Sequence, residues 1–179
     1  MKKVLIISTS LRKDSNSEIL SHEFMKGAKE AGHEVELISL KGKKIEFCKG
    51  CLACQRLGEC IIDDDVNAIT KKIRESNVIV WATPVYYYEM SGQMKTLIDR
   101  ANSLFFTDNN FNEVYLIATS ADSSKGVVKT VLNGINGWIS CLDGVKLSGF
   151  LEAGGLDTPN EVNESKDLLE KAYIMGRNV

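Results

Sequence analysis

Residues 3–20 read KVLIISTSLRKDSNSEIL and join an apolar strand to a polar loop and the start of a helix. Lys3–Ser8 contains a continuous apolar run of the kind found in a parallel strand that is covered on both faces. The residues from Ser15 to Glu18 form a capping-box pattern, which predicts that a helix begins there and that Gly32 ends it. A strand, a loop and a helix in this order form the first β–α unit of an α/β protein.

The same alternation of strand and helix occurs four more times along the chain. Further strands are predicted at Glu34–Leu40, Asn77–Ala82, Val114–Thr119 and Val145–Leu151. Further helices are predicted to begin at Asp63, to run from Ser91 to Phe105 and from Val127 to Ile139, and to begin at Thr158 with Pro159 in the first turn. Five such units predict a flavodoxin-like, doubly wound sheet of five parallel strands in the order 2-1-3-4-5. We therefore expect a single domain of residues 1–179, built as a three-layer sandwich.

Composition and charge exclude several classes of protein. The 179 residues are 44% hydrophobic and 26% charged, values typical of a globular domain whose core needs no disulfide or metal. The net charge of −2 predicts no nucleic-acid partner. Every apolar run is far shorter than the roughly 20 residues that span a bilayer, so no membrane segment is expected. No cleavable secretory signal follows Met1, which favours a cytoplasmic location.

The loop after the first strand has the composition of a phosphate-binding loop. Ligands of doubly wound sheets bind at the carboxyl ends of the strands, beside the first strand. Residues 8–17 contain neither GxGxxG nor GK[ST], which argues against a Rossmann dinucleotide site and a P-loop. They offer hydroxyls, an amide and Arg12 at a helix N-terminus, a combination that can bind a terminal phosphate. An ordinary polar loop with a helix cap is the alternative from these residues alone.

Three consecutive tyrosines follow the third strand. Tyr86, Tyr87 and Tyr88 lie in a loop at the same edge of the predicted sheet, and a loop cannot bury all three. They favour either stacking against a flat aromatic ligand or an aromatic dimer interface, and the two can hold together. The hydroxyl-rich segment Thr119–Ser124 comes to the same edge and is either a ligand loop or a solvated turn.

The loops after the first and third strands carry a family resemblance. Residues 10–17, SLRKDSNS, resemble the G-S-x-R-x-x-[GS]-N-[ST] loop of the NADPH-dependent FMN reductase family. The segment TPVY at residues 83–86, with the later Ser91, Lys95 and Asp99–Arg100, resembles its [GT]-T-P-x-Y…S…K…D-R segment. Thr9 and Leu11 depart from the family's usual glycine and proline.

The resemblance implies FMN as the cofactor and NAD(P)H as the electron donor. The residues that it implies for the phosphate are Ser10, Arg12, Ser15, Asn16 and Ser17. Those that it implies for the isoalloxazine ring are Pro84, Val85, Tyr86 and Tyr87. Ser120, in the hydroxyl-rich segment at the same sheet edge, is added as a further cofactor contact.

Four of the five cysteines lie close together after the second strand. Cys48, Cys51, Cys54 and Cys60 form a C-x2-C-x2-C-x5-C run. Compact runs of this kind bind iron–sulfur clusters through four thiolates, whereas structural zinc more often uses two separated C-x2-C pairs. An iron–sulfur cluster, redox-active free thiols and zinc stay open, in that order of preference. Cys141 stands alone among apolar residues of the fourth helix and is expected to be buried.

The cysteine run resembles that of the iron–sulfur flavoproteins, a branch of the same family with a 4Fe–4S cluster on this loop. Simple FMN reductases of the family carry a similar C-x-G-C-x2-C…G-x-C…D-D pattern, so the resemblance fits both.

Three hypotheses of function follow. The leading one is an FMN-dependent oxidoreductase that passes electrons from NAD(P)H to a flavin, a quinone or a similar small-molecule acceptor. It assigns no side chain to acid–base catalysis, because His22 and His33 are predicted to lie at the surface. The alternatives are an iron–sulfur flavoprotein that accepts electrons from a ferredoxin-like donor, and a thiol-based redox sensor. The apolar area of Tyr86–Tyr88 predicts a homodimer or homotetramer with the flavin near the subunit boundary.

Overall fold

The computed structural model describes residues 1–179, which form six strands and six helices. The strands are β1 (Lys3–Ser8), β2 (Glu34–Ser39), β3 (Val78–Tyr86), β4 (Glu89–Met90), β5 (Glu113–Thr119) and β6 (Lys146–Ala153). The helices are α1 (Asn16–Glu30), α2 (Ala53–Leu57), α3 (Val66–Glu75), α4 (Gly92–Arg100), α5 (Lys129–Ile139) and α6 (Lys166–Arg177). Two 3-10 helices span Asn102–Phe106 and Glu161–Glu164. None of the helices has the length and apolar character that a membrane span requires.

Five of the strands form one parallel sheet in the order β2-β1-β3-β5-β6. The short β4 pairs antiparallel with the end of β3 and lies off this path. Counted without β4, the order is 2-1-3-4-5, so the predicted flavodoxin-like fold is confirmed. The strands are apolar because both faces of the sheet are covered: Ile6 and Ile7 point to opposite faces and neither is accessible to solvent.

A layer of helices covers each face of the sheet. On one face, Ile73 of α3, Met94 of α4 and Ile135 of α5 share a core with Trp81 of β3. On the other face, α1 and α6 form a second core, in which Phe24 is fully buried. This arrangement is the expected three-layer sandwich, and it leaves the loops at the carboxyl ends of the strands free to form sites.

The third strand is longer than the sequence predicts. It is expected to end at Ala82, yet β3 continues to Tyr86 before turning into β4. The last pair between β1 and β3 is Ser8 with Ala82, so beyond that point β3 has β5 but not β1 as a neighbour. A strand with one open side tolerates a residue without an N–H group, which explains why Pro84 does not end the strand.

Two predicted helices differ most from their bounds in the structure. The helix expected from Ser91 to Phe105 is α4 up to Arg100, followed by a 3-10 helix. The last helix is predicted to begin at Thr158, but α6 begins at Lys166 with Ser165 as its N-cap. Residues 157 and 158 instead form a turn in which both backbone N–H groups donate to the Glu161 carboxylate. The left-handed Asn160, at a φ of 72°, ends this turn.

Helices α1 and α6 pack closely enough that Gly176→Ala is expected to destabilise the protein. A Cβ at position 176 would clash with the backbone carbonyl oxygen of Phe24 in α1. Overpacking of this kind costs about 1–3 kcal/mol of unfolding free energy, measured by urea denaturation. Gly137→Ala in α5 is the control, because a Cβ there meets no atom within 4 Å. It is expected to stabilise the protein by about 0.4–1 kcal/mol, and equal losses in both variants would contradict the packing argument.

Candidate functional site

A polar cavity of about 200 Å³ opens at the carboxyl edge of the sheet. It is lined by Ser10, Arg12, Ser15, Asn16, Ser17, Pro84, Val85, Tyr86, Thr119, Ser120, Ala121, Leu156, Asp157 and Pro159. The structure therefore brings together every cofactor-binding residue that the sequence predicts except Tyr87. The parallel sheet explains this, because β1, β3 and β5 are adjacent and end at the same edge.

The N-terminus of α1 gives this polar cavity the character of an anion site. The first N–H groups of a helix have no intrahelical partner, and the helix dipole places partial positive charge there. Ser17, in the first turn of α1, is fully buried, and its hydroxyl has no hydrogen-bond partner. A buried hydroxyl without a partner is unfavourable unless a ligand supplies one. Ser17 and the helix N-terminus therefore suit a bound phosphate.

Two residues predicted to bind the phosphate are engaged with another part of the chain. The Asn16 amide donates to the Thr158 carbonyl oxygen at 2.8 Å, and its oxygen accepts the Val162 N–H at 3.1 Å. The Arg12 guanidinium donates to the Asp157 carbonyl oxygen at 2.9 Å. These contacts fasten the segment after β6 over the polar loop, so the Asn16 side chain holds the wall of the cavity together.

Sequence reasoning missed the segment after β6, which supplies Leu156, Asp157 and Pro159 to the cavity wall. A signal was present in Gly154 and Gly155, which directly follow β6. A Cβ at Gly154 would lie 2.8 Å from the Asp122 carbonyl oxygen, and Gly155 has a φ of 78°. Only glycine suits both positions, and the pair lets the chain pass close to the loop after β5.

Glu18, in the first turn of α1, is hydrogen-bonded to residues at the ends of β1 and β2. Its carboxylate accepts hydrogen bonds from the hydroxyls of Ser8 and Ser39 and from the Lys41 ammonium. Burial on its own would raise the pKa of Glu18, but these donors outweigh it and hold the pKa below its usual value. The charged carboxylate thus links the ends of β1 and β2 to the first turn of α1.

Glu18 is expected to make folding sensitive to acid. Because its pKa is lower in the folded chain, its contribution to stability is present above the unfolded pKa and is lost as the pH falls through the folded pKa. Glu18→Gln should therefore lower the unfolding free energy at neutral pH. Between neutral pH and about pH 3, the unfolding free energy of this variant should decrease less than that of wild type. Urea denaturation across this range tests it, with Glu170→Gln on the exposed side of α6 as the control. An unchanged acid dependence in Glu18→Gln would contradict this prediction.

The three tyrosines form a hairpin rather than an open loop. Tyr86 ends β3, and Tyr87 and Tyr88 are the two turn residues before β4, with φ angles of 49° and 63°. Two-residue turns with positive φ favour asparagine and glycine, so two tyrosines there are strained. Tyr87 is fully exposed and does not line the polar cavity. The turn holds aromatic surface out into solvent at the cost of backbone strain.

A second, mostly apolar cavity of about 790 Å³ lies beside the cysteine loop. All five cysteines line it, and α4, α5 and the first 3-10 helix form the opposite wall. As arranged in the structure, no three of its thiols lie close enough together to hold one metal ion. We refer to this as the cysteine cavity.

Cys141 differs from expectation, because its side chain is exposed rather than buried. It lies just beyond the last residue of α5, Ile139, where the chain leaves the core. Its thiol donates to the Gly137 carbonyl oxygen at 3.4 Å. The apolar residues of α5 face the sheet, and Cys141 falls outside their helical stripe.

Arg100 and Asp64 join the two ends of the cysteine loop. Arg100 donates from Nη1 and Nη2 to the two carboxylate oxygens of Asp64, at 2.7 and 3.0 Å, and from Nη1 to the Glu46 carbonyl oxygen at 2.6 Å. Neither side chain of this ion pair is accessible to solvent. Burial alone would raise the pKa of Asp64, but the Arg100 guanidinium and two backbone N–H groups hold it below its usual value. The loop from Glu46 to Asp64 is therefore closed at its base by a buried charge pair.

The two histidines lie away from both cavities. His22 is exposed on α1, as predicted. His33 is half-buried, accepts the Lys2 N–H at 3.1 Å through Nδ1, and lies 3.0 Å from the Val179 carbonyl oxygen through Nε2. Neither lines the polar cavity or the cysteine cavity.

Comparison with known proteins identifies a family for this chain. Residues 2–140, which include the polar loop, the four clustered cysteines and the tyrosine hairpin, match the family model of NADPH-dependent FMN reductases. The chain is 32% identical over 140 residues to an iron–sulfur flavoprotein of Methanosarcina thermophila, with 76% of this chain and 72% of the relative covered. It is 41% identical over 102 residues to an iron–sulfur flavoprotein of Methanocaldococcus jannaschii, covering 57% of this chain and 53% of that protein. The chain thus spans about half the length of the latter relative.

A solved structure shares the fold over nearly the whole chain. The NAD(P)H:quinone oxidoreductase from Methanothermobacter marburgensis superposes with a TM-score of 0.77 at 18% sequence identity, covering 99% of this chain and 95% of that one. At this identity the likeness concerns the fold. It agrees with the doubly wound sheet described above.

Proposed function

Because the chain belongs to the NADPH-dependent FMN reductase family and to its iron–sulfur flavoprotein branch, we propose that it is an FMN-dependent oxidoreductase. Its electrons would come from NAD(P)H and go to a flavin, a quinone or a similar acceptor. The observation that carries the proposal is the buried Ser17 hydroxyl, which lacks a partner at the N-terminus of α1 inside the polar cavity. FMN supplies the hydride and electron chemistry when bound, and the chain supplies position and electrostatics.

The volume of the polar cavity supports a binding mode in which the cavity holds the phosphate end of FMN and the ring is bound outside it. Pockets that enclose a drug-sized ligand measure roughly 300–1,000 Å³, and this cavity is smaller at about 200 Å³. It suits the phosphate end, held by Ser17, the helix N-terminus and the hydroxyl of Ser10. Pro84 and Val85, which are half-buried, and the exposed Tyr86 would hold the flat ring at the mouth of the cavity. A ring left open on one face is accessible to a nicotinamide or an acceptor.

The cysteine cavity favours a second candidate, an electron carrier with FMN and a 4Fe–4S cluster in series. Four thiols of the required motif line one cavity, and Arg100 Nε, at the same cavity, is buried without a partner. Four cysteine ligands and a free buried donor fit a sulfur-ligated, negatively charged group. Cys48, Cys51, Cys54 and Cys60 would hold it. A ferredoxin-like protein would then be the electron donor.

We further propose a homodimer or homotetramer with the flavin near the subunit boundary. Tyr87 and Tyr88 support it, because the strained turn leaves Tyr87 fully exposed and Tyr88 largely exposed. Light scattering of the FMN-bound protein at micromolar concentration tests this. A monomer would contradict it. Cytoplasmic location and the absence of a nucleic-acid partner stay predictions.

Two measurements on anaerobically purified protein separate the candidate functions. Steady consumption of NADH or NADPH with added flavin or quinone supports the oxidoreductase. A visible spectrum with flavin bands and a broad shoulder that bleaches on reduction supports the cluster. Failure to consume either nucleotide, with a cluster that accepts electrons from a reduced ferredoxin, favours the electron carrier. A protein with neither activity nor cluster, whose thiols respond to oxidant, favours the redox sensor.

A further inference from the structure

One nitrogen of the Arg100 guanidinium has no hydrogen-bond partner. Nη1 and Nη2 bind Asp64 and the Glu46 carbonyl oxygen, but Nε is buried and has no hydrogen-bond partner. Arg100 also lines the cysteine cavity, and its side chain is inaccessible to solvent. A buried charged donor without an acceptor is costly, and a negatively charged group bound in the cysteine cavity would supply an acceptor for Nε.

Cys60 is a ligand candidate whose backbone is held by a side chain of α3. Its backbone N–H donates to Asn67 Oδ1 at 3.0 Å, and its carbonyl oxygen accepts from Asn67 Nδ2 at 2.7 Å. Arg100 and Cys60 line the same cysteine cavity. Burial lowers the pKa of the guanidinium, and the carboxylate of Asp64 together with Cys60 more than offsets this and raises it. By contrast, the exposed Cys48 has only a contact from the Gly50 N–H within its own loop.

We propose that Arg100 is a positioning residue that donates from Nε to the Cys60 thiolate and raises the reduction potential of the bound cluster. This inference rests on the proposed iron–sulfur function. A cluster held by four thiolates is negative and gains one further electron on reduction, with no bond made or broken. A donor and a positive charge at one sulfur favour that added electron, because hydrogen bonds to the sulfurs and local charge set such potentials. Asp64 is the counter-charge that moderates the effect.

The test is a redox titration of anaerobic, FMN-bound protein followed by EPR, with iron, sulfide and FMN content measured beside it. Arg100→Gln is expected to lower the cluster potential by an amount equal to at least a tenfold change in the one-electron equilibrium constant, which is 59 mV. Asp64→Asn removes the counter-charge and is expected to shift the potential upward. A purely structural role for the ion pair would not give shifts of opposite sign.

Arg74 provides a matched control. It also donates to the cysteine loop, from Nη2 to the Gly58 carbonyl oxygen at 2.8 Å, and its Nε is likewise buried without a partner. It does not line the cysteine cavity. Arg74→Gln should therefore leave the cluster potential unchanged. A shift equal to that of Arg100→Gln would overturn the inference.

The remaining outcomes distinguish this inference from the proposed function. If Arg100→Gln does not fold or does not retain iron, the cluster potential is measured in Arg100→Lys and Asp64→Asn instead. The potential of Arg100→Lys is expected to lie below that of wild type, because lysine has no Nε donor. If Arg100→Lys and Asp64→Asn both have the wild-type cluster potential, this inference is overturned and the proposed iron–sulfur function is not. Iron absent from wild type after reconstitution overturns the cluster and this inference with it.

Discussion

Changing any one of Cys48, Cys51, Cys54 or Cys60 to serine is expected to remove nearly all bound iron and to leave FMN in place. A 4Fe–4S cluster uses four thiolates, and each of these residues lines the same cavity. The FMN site is lined by different residues, so its occupancy should not follow that of the iron. The measurement is iron, sulfide and FMN content of anaerobically prepared variants.

Cys141→Ser is the control for this series. Cys141 lines the same cavity and is exposed, but it lies on the opposite wall, beyond the end of α5. It should retain wild-type iron. Unequal effects among the four loop cysteines, with iron retained in some variants, would favour a redox-active pair of thiols over a cluster. Iron absent from reconstituted wild type would leave an FMN reductase with a cysteine-rich loop.

The parallel sheet was predictable because burial leaves a direct mark on composition. A strand covered on both faces has to be apolar at successive positions, as Val4 to Ile7 are, and helices between such strands allow few arrangements. Convergence of Ser17, Pro84 and Ser120 on one cavity followed from the same logic, since parallel strands bring their loops to one edge.

Contacts between distant parts of the chain were not predictable. Asn16 is predicted from the sequence to bind the phosphate. In the structure its side-chain amide instead binds Thr158 and Val162, which are more than 140 residues away. Asp64 lies at the start of the helix that the sequence predicts from Asp63, but its carboxylate pairs with Arg100 at the end of another helix. Local patterns reveal periodicity and caps, whereas pairing of polar groups depends on how the elements pack.

Cys141 shows the same limit at the end of an element. The apolar stripe of α5 suggested that the cysteine would be buried with it, and a shift of two residues past the helix end places it at the surface. Helical periodicity does not predict burial beyond the end of a helix, because the chain there leaves the helical path.

Ser17→Ala is expected to weaken FMN binding about tenfold to a hundredfold without destabilising the apoprotein. A hydrogen bond to a charged group contributes about 1.5–3 kcal/mol, and each 1.4 kcal/mol corresponds to about tenfold in Kd. In the apoprotein the Ser17 hydroxyl is buried without a partner, so alanine removes an unsatisfied group. Titration of FMN fluorescence gives the affinity, and thermal unfolding of the apoprotein gives the stability.

Ser21→Ala tests whether the loss belongs to the cavity or to the helix. Ser21 is equally buried one turn further along α1, but its hydroxyl donates to the Ser17 carbonyl oxygen at 2.7 Å and does not line the polar cavity. Its replacement should keep wild-type FMN affinity and lose a little stability, the reverse of Ser17→Ala. A general disturbance of α1 would weaken binding in both variants. Wild-type affinity in Ser17→Ala would contradict the assignment of the Ser17 hydroxyl to the phosphate.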